Sequence, residues 1–301
     1  MPTVTRRTSL QLAAAAALGL TFAGAARAHA QDPNVRYLGY TEDDQKLPYA
    51  KYFVSHTAPV PQRITDALAG PIAPERIPSL SRLPEDLAEP GYSEIECGYG
   101  QSADGVLWVA ALTPMPGVTA VMWDWWFGWH STESARYKLW HPDAHSFAAL
   151  AEDRTAWPVS DREKYIDNTT FVDEYIGDRM EQLAITFRDP ASGAIAVPEG
   201  STVIYGRVGS SVAPVDLGWL AHQVRPTADG AEMRSRFYLN VPGLHPLDPV
   251  HTEQALRRGS TELLRNAILD LDFARDLLAH CGAEMNHLAG FLPDLWAEFG
   301  R

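Results

Sequence analysis

Six apolar runs follow one another between residues 92 and 241 and then give way to helical periodicity, an order that narrows the fold more than any other feature. They are "YSEIECGYG", "GVLWVAALT", "VTAVMWDWWFGW", "QLAITF", "STVIYGRV" and "RSRFYLNV". Each is bounded by Gly, Pro, Asp or Ser, and β-branched and aromatic residues dominate, as in strands. Strands in succession without helical spacers predict an antiparallel sheet. After "GLHPLDP" the period changes. Leu256, Leu263, Leu264, Ala267, Leu271, Ala274, Leu277, Leu278, Cys281, Met285 and Leu288 recur at helical spacing, so a helix is expected over about residues 250–290. Its broad apolar stripe needs a partner face. The expected class is α+β, a curved antiparallel sheet gripping a long C-terminal helix with a ligand cavity between them.

The rest of the chain divides around this unit. Residues 58–90 hold seven prolines, poor material for strands or long helices. Residues 31–91 therefore read as a proline-rich wrapping segment or a small subdomain, and residues 92–301 as the main domain. At the start, Arg6 and Arg7 precede the run "AAAAALGLTFAGAA", and "AHA" ends at Ala30. This pattern is a secretory signal over residues 1–30, and the paired arginines point to the twin-arginine route, with a periplasmic or secreted product. Its removal takes three arginines and no acid, moving the formal charge from −13 to −16. So acidic a chain disfavours nucleic acid and anionic membranes as partners and leaves small organic molecules open. A homo-oligomer is neither required nor excluded. Two cysteines, Cys97 and Cys281, are too few for a disulfide framework, and Cys281 on an apolar helix face reads as a buried free thiol.

The expected helix carries an anomaly, "HCGAEMNH". His280 and Glu284 are four apart, one turn above the other at the margin of the apolar stripe. Facing the cavity, such a carboxylate needs a partner or a metal; on the helix surface the pair would be an ordinary ionic contact. The spacing alone leaves both readings open. Glu284 and His287 also form E-x-x-H, but no second copy exists. His130, His141 and His145 follow the tryptophan-rich run and suggest a pocket without saying which of them binds.

"WDWWFGWH", "RYKLWHPDAH", "FVDEYIG" and "HCGAE", in this order, resemble the diacetylphloroglucinol hydrolase and phloretin hydrolase family over about residues 92–290. The resemblance implies a helix-grip fold like that of the major birch-pollen allergen. It also implies metal-dependent hydrolysis of the carbon–carbon bond between an acyl group and a phenolic ring, giving a carboxylic acid and the deacylated phenol. The implied metal ligands are His145, Glu174, His280 and Glu284. His145 is preferred to His141 and His130 because Tyr137 then falls where the family places a substrate-binding tyrosine. His222 matches a pocket histidine, and Tyr238 a second pocket tyrosine, with Phe237 as its competitor one residue away. One departure is Ala148, where the family places a pocket asparagine.

Nitrogen and carboxylate ligands without thiolate suit Zn²⁺, with Fe²⁺ or Mn²⁺ also able to occupy such a site. In that scheme His222, with a pKa naturally near neutrality, moves the proton, and Tyr137 and Tyr238 hold ring hydroxyls of an acylated phenol. Two other readings stand beside it: a non-catalytic carrier of hydrophobic ligands, and another metalloenzyme acting on a 1,3-dicarbonyl compound.

Overall fold

The computed structural model describes residues 39–211, 216–241 and 269–300. The expected signal at residues 1–30 lies outside them, as do Leu256, Leu263, Leu264 and Ala267 of the expected helix. The described residues all fall within one compact unit. Among the described residues no helix is long and apolar enough to cross a membrane.

Among the described residues eight strands make one antiparallel sheet: β1 (Gly98–Gln101), β2 (Leu107–Pro116), β3 (His145–Leu150), β4 (Thr169–Ile176), β5 (Arg179–Arg188), β6 (Thr202–Ser210), β7 (Asp216–Thr227) and β8 (Gly230–Leu239). Their order is β1-β2-β8-β7-β6-β5-β4-β3. The helices are α1 (Gln62–Ala67), α2 (Leu83–Ala88), α3 (Ala120–Trp129), α4 (Ser134–Trp140), α5 (Asp161–Tyr165), α6 (Leu271–Ala289) and α7 (Leu292–Phe299). α6 packs on β1 and β2 near one edge of the sheet and on β4 near the other. Only a sheet curled around the helix allows both contacts.

Alternation sorts each strand onto two faces. Leu107, Val109, Ile204, Leu220 and Phe237 join the core around α6. Trp108, Val203, Tyr205, Ala221 and Tyr238 form a second cluster on the outer face, covered by Leu83 and Leu87 of α2. The proline-rich segment thus wraps both sides: α2 covers the outer face, while α1 seats Ile64, fully buried, against α6. Gly282 makes the second contact feasible, because a methyl group there would stand 2.9 Å from Ile64 Cγ1.

Two expected elements differ. The run "VTAVMWDWWFGW" contains helix α3 instead of a strand. Thr119 caps it by accepting from the Met122 amide, and seven of its ten residues are buried. Helix burial on nearly all sides leaves no period by which to tell it from a buried strand. The C-terminal helix, expected from about residue 250, begins at Leu271 among the described residues, where Asp270 accepts from the Phe273 amide at 2.9 Å. That side-chain bond satisfies a free amide at the helix start.

Candidate metal centre

Strand pairing and one helical turn bring the polar side chains together. β3 and β4 pair with His145 directly opposite Glu174. Along β4, Thr170, Val172, Glu174 and Ile176 are buried and their neighbours only half-buried. Glu174 therefore sits on a phase otherwise suited to an apolar side chain. From the other side α6 presents His280 and Glu284, both buried.

The tautomers follow from the backbone. His145 Nδ1 donates to the Tyr137 carbonyl at 3.0 Å, and His280 Nδ1 donates to the Tyr175 carbonyl at 3.0 Å. A carbonyl only accepts, so both neutral rings turn an Nε2 lone pair toward the carboxylates. His145 Nε2 lies 3.5 Å from Glu174 Oε2 and 3.4 Å from Glu284 Oε2, and His280 Nε2 lies 3.7 Å from Glu284 Oε2. His145 is fully buried and its Nε2 has no hydrogen-bond partner. Lone pairs facing carboxylates repel unless a proton or a cation stands between them. The ligand atoms of His145, His280 and Glu284 all lie within 4.8 Å of one another, a spacing that suits a metal ion. Glu174 reaches this trio through His145, while its Oε2 also accepts from the Tyr137 hydroxyl.

Without a counter-charge the groups shift toward their neutral forms. Burial, reinforced by Glu174, holds the Glu284 carboxyl well above the usual carboxylate range. Burial, then the neighbouring His280 and His141, pushes His145 well below the usual imidazole range, and burial lowers His280. A bound cation would invert the first tendency, holding Glu284 ionised, and reinforce the other two by keeping both imidazoles neutral.

Tyr137 supports the site three ways. Its ring stacks on His145 with centroids 3.8 Å apart, its carbonyl fixes the His145 tautomer, and its hydroxyl holds Glu174. The competing histidines are otherwise engaged. His141 bonds Thr57 Oγ1 at 2.7 Å, and His130 bonds the Trp126 carbonyl at 2.7 Å. His287 accepts the Ala58 amide at 3.0 Å, so E-x-x-H points one member at the N-terminal segment. His245 and His251 lie outside the described residues. Cys97 and Cys281 are free thiols.

A cavity adjoins the cluster, walled by Phe127, Trp140, Phe187, Leu220 and Phe237 and bordered by Tyr137, Glu174, His222, His280 and Glu284. As closed here it holds about 70 Å³, below the roughly 300 Å³ of common small-molecule sites. An aromatic ring therefore enters only with movement of the wall. Two expectations change. Tyr238 is not a wall residue: strand alternation puts it on the outer face with Trp108, and Phe237 takes the inward place. His222 lines the cavity with Nδ1 2.8 Å from Ser235 Oγ, but burial pushes its pKa down to about 3, so it is neutral near pH 7. Ala148 is buried on β3 and offers no side-chain polar atom. Sequence reasoning missed Thr170 and Ser131 as cavity residues, while His130, one of the three histidines that suggested a pocket, does border it. For Thr170 a signal existed, since it shares the alternation phase of Glu174.

A family model described as the DAPG hydrolase PhiG domain matches residues 77–297. The 2,4-diacetylphloroglucinol hydrolase of Pseudomonas protegens is 32% identical over 268 residues, covering 84% of this chain and 85% of that protein. The phloretin hydrolase of Eubacterium ramulus is 32% identical over 276 residues, covering 88% and 95%. Among solved structures, Ara h 8.0201 overlays 58% of this chain and 98% of its own at 8% identity and a TM-score of 0.30, too slight a likeness to argue from. With a family model spanning the sheet and the helix, and relatives aligned over most of their length, the chain belongs to the DAPG hydrolase family.

Proposed function

We propose that the protein is a metal-dependent hydrolase that cleaves the carbon–carbon bond between an acyl group and a phenolic ring, releasing a carboxylic acid and the deacylated phenol. One observation carries the metal: two buried imidazoles turn Nε2 lone pairs toward two carboxylates, and His145 Nε2 has no other partner. His145, His280 and Glu284 would hold the ion, with Glu174 as the fourth ligand. Zn²⁺ suits these donors best, with Fe²⁺ or Mn²⁺ as alternatives. When bound, the cation supplies Lewis acidity to an acyl carbonyl and to water. The sheet curled around α6 is read here as a helix grip, which places this cluster beside an apolar chamber.

The chain's own groups then divide the remaining work. The aromatic wall holds the ring and excludes water, which strengthens polar contacts inside. Tyr137 keeps Glu174 in place and stays a neutral phenol, because burial and Glu174 hold its pKa well above the usual range. The ring carbon is a poor leaving group as a bare carbanion and must be protonated. Neutral His222 takes the proton of a ring hydroxyl and returns it to the ring carbon bearing the acyl group. The ring so protonated is a keto tautomer. Water then adds its oxygen to the acyl carbonyl, the carbon–carbon bond pair moves onto the ring, and the ring departs as a stabilised phenolate that takes up the remaining proton.

Purified protein assayed on acylated trihydroxybenzenes, with product masses and bound metal measured together, tests the proposal. Acid and deacylated phenol in equal amounts, lost on chelation and restored by a divalent metal, are expected. Binding of these ketones without turnover by metal-loaded protein would make it a carrier. Oxygen-dependent products would make it an oxygenase. Arg6 and Arg7 are read as a twin-arginine export signal giving a periplasmic or secreted enzyme. Changing both to lysine should retain the precursor in the cytoplasm, and unchanged export would mean the ordinary secretory route.

A further inference from the structure

The cavity has a second polar end. Thr170 lies on the inner face of β4, is 3% exposed, borders the cavity, and its hydroxyl has no hydrogen-bond partner. A buried hydroxyl left unpaired costs about 1–3 kcal/mol, so valine, of nearly the same shape, would stabilise the strand better. Ser131, 1% exposed, borders the same cavity. Its donor capacity is already used. His130 Nδ1 gives its proton to the Trp126 carbonyl at 2.7 Å, which leaves Nε2 to accept from Ser131 Oγ at 3.2 Å. Ser131 therefore has only acceptor capacity to spare, whereas Thr170 can donate and accept. Among the described residues no lysine or arginine borders the cavity.

We propose that Thr170, with Ser131, forms a subsite for a hydroxyl on the ring position farthest from the acyl group. This rests on the reading that an acylated phenol occupies the cavity with its carbonyl at the His145–Glu284 end. Thr170 and Glu174 are four residues apart on one strand face, roughly 13 Å at the usual rise. An acylated ring bound at the cluster, with a hydroxyl on its far carbon, spans such a gap. Between the two ends stands Val172, and Ile185 faces Thr170 across the ladder, both apolar and both bordering the cavity. A phenol hydroxyl matches the far end because it both gives and takes a hydrogen bond. A carboxylate would find no cation there and would meet Ser131's lone pairs.

The test compares 2,4,6-trihydroxyacetophenone with 2,6-dihydroxyacetophenone, which differ only in the hydroxyl opposite the acyl group. Wild type should prefer the trihydroxy ketone by about tenfold in kcat/KM, the scale of one good buried hydrogen bond. Thr170→Val should lose that preference and treat the dihydroxy ketone as wild type does, while Thr170→Ser should keep it. Metal content and melting midpoints confirm that the variants fold alike. A preference that survives Thr170→Val overturns the proposal. If wild type turns over neither ketone, the proposed function fails instead, and affinities for the same pair, followed by tryptophan fluorescence, decide the subsite. Equal affinities in wild type, or an undiminished preference in Thr170→Val, would then overturn it.

Discussion

Buried charges lie on both faces of the same sheet, and their surroundings differ. On the outer face Arg234 and Arg236, both fully buried, each meet Asp86 and Glu96 at 2.7–2.9 Å. Each guanidinium contacts two carboxylates and each carboxylate two guanidiniums, so charge and hydrogen-bonding capacity are matched. On the inner face Glu174 and Glu284 meet imidazole lone pairs, and neither forms an ion pair with Lys or Arg among the described residues. The outer set ties α2 and the segment before β1 to β8. The inner set is linked to its surroundings through the Tyr175 carbonyl and Tyr137, but the acceptor atoms that face one another are left unmatched. A buried cluster whose charges complement one another works as architecture, and one whose members are all acceptors is set up for something it does not itself contain.

Substitutions in the two clusters should separate these roles. Glu284→Gln should abolish metal uptake and turnover, while the metal-free protein keeps or raises its melting midpoint because a costly buried carboxylate is gone. A fall in that midpoint would make the inner cluster structural and erase the contrast. His222→Ala should leave metal content intact and cut turnover by roughly 10²–10⁴-fold; loss of metal would instead make His222 a ligand. Glu96→Ala, on the outer face, should cost about 3–5 kcal/mol of stability by stranding two buried arginines, with metal content per folded molecule unchanged. Acid should act on the same group. Burial opposes ionisation of Glu96, but hydrogen bonds and charge from Arg234 and Arg236 prevail and hold its pKa down to about 2, from an ordinary 4.5. Its contribution is therefore complete above pH 4.5 and lost as pH falls toward 2. Denaturation midpoints across that window should fall less steeply in Glu96→Gln than in wild type. The smallest effect belongs to Tyr137→Phe, which keeps the stack on His145 and frees Glu174, costing about 1–2 kcal/mol in transition-state binding by kcat/KM.

The inner cluster was only partly legible. His280 and Glu284 stand out because a helix fixes their spacing and an apolar stripe shows which way they face. His145 and Glu174 are 29 positions apart, and their meeting depends on a strand register that no local pattern states; the family resemblance supplied it. Tyr238 was misplaced for a related reason. β8 is buried on both faces, so its apolar residues do not alternate visibly, and Phe237 and Tyr238 look alike until Arg234 and Arg236 mark the outer phase. The tryptophan-rich run failed likewise, since helix α3 is buried on nearly all sides. Strands β3 and β7 went unread among polar neighbours, whereas β2, β5, β6 and β8 were plain from their apolar runs.

The pairing of His145 with Glu174 has a bearing on how damaged copies of this protein would be judged. Among the described residues β3 is an edge strand with β4 as its neighbour in the sheet, held in step by that ladder and by α4, whose Tyr137 and Ser134 bond His145 and Ala148. A slip of a single residue turns every side chain on the shifted strand to the opposite face. It would bring Asp173 or Tyr175 opposite His145 in place of Glu174. A deletion in the connection between these strands would then yield a protein of ordinary solubility and circular dichroism with no chemistry. Inherited or engineered variants of that kind would be blamed on the residue removed, although the fault lies in the register of the two adjacent strands it joins.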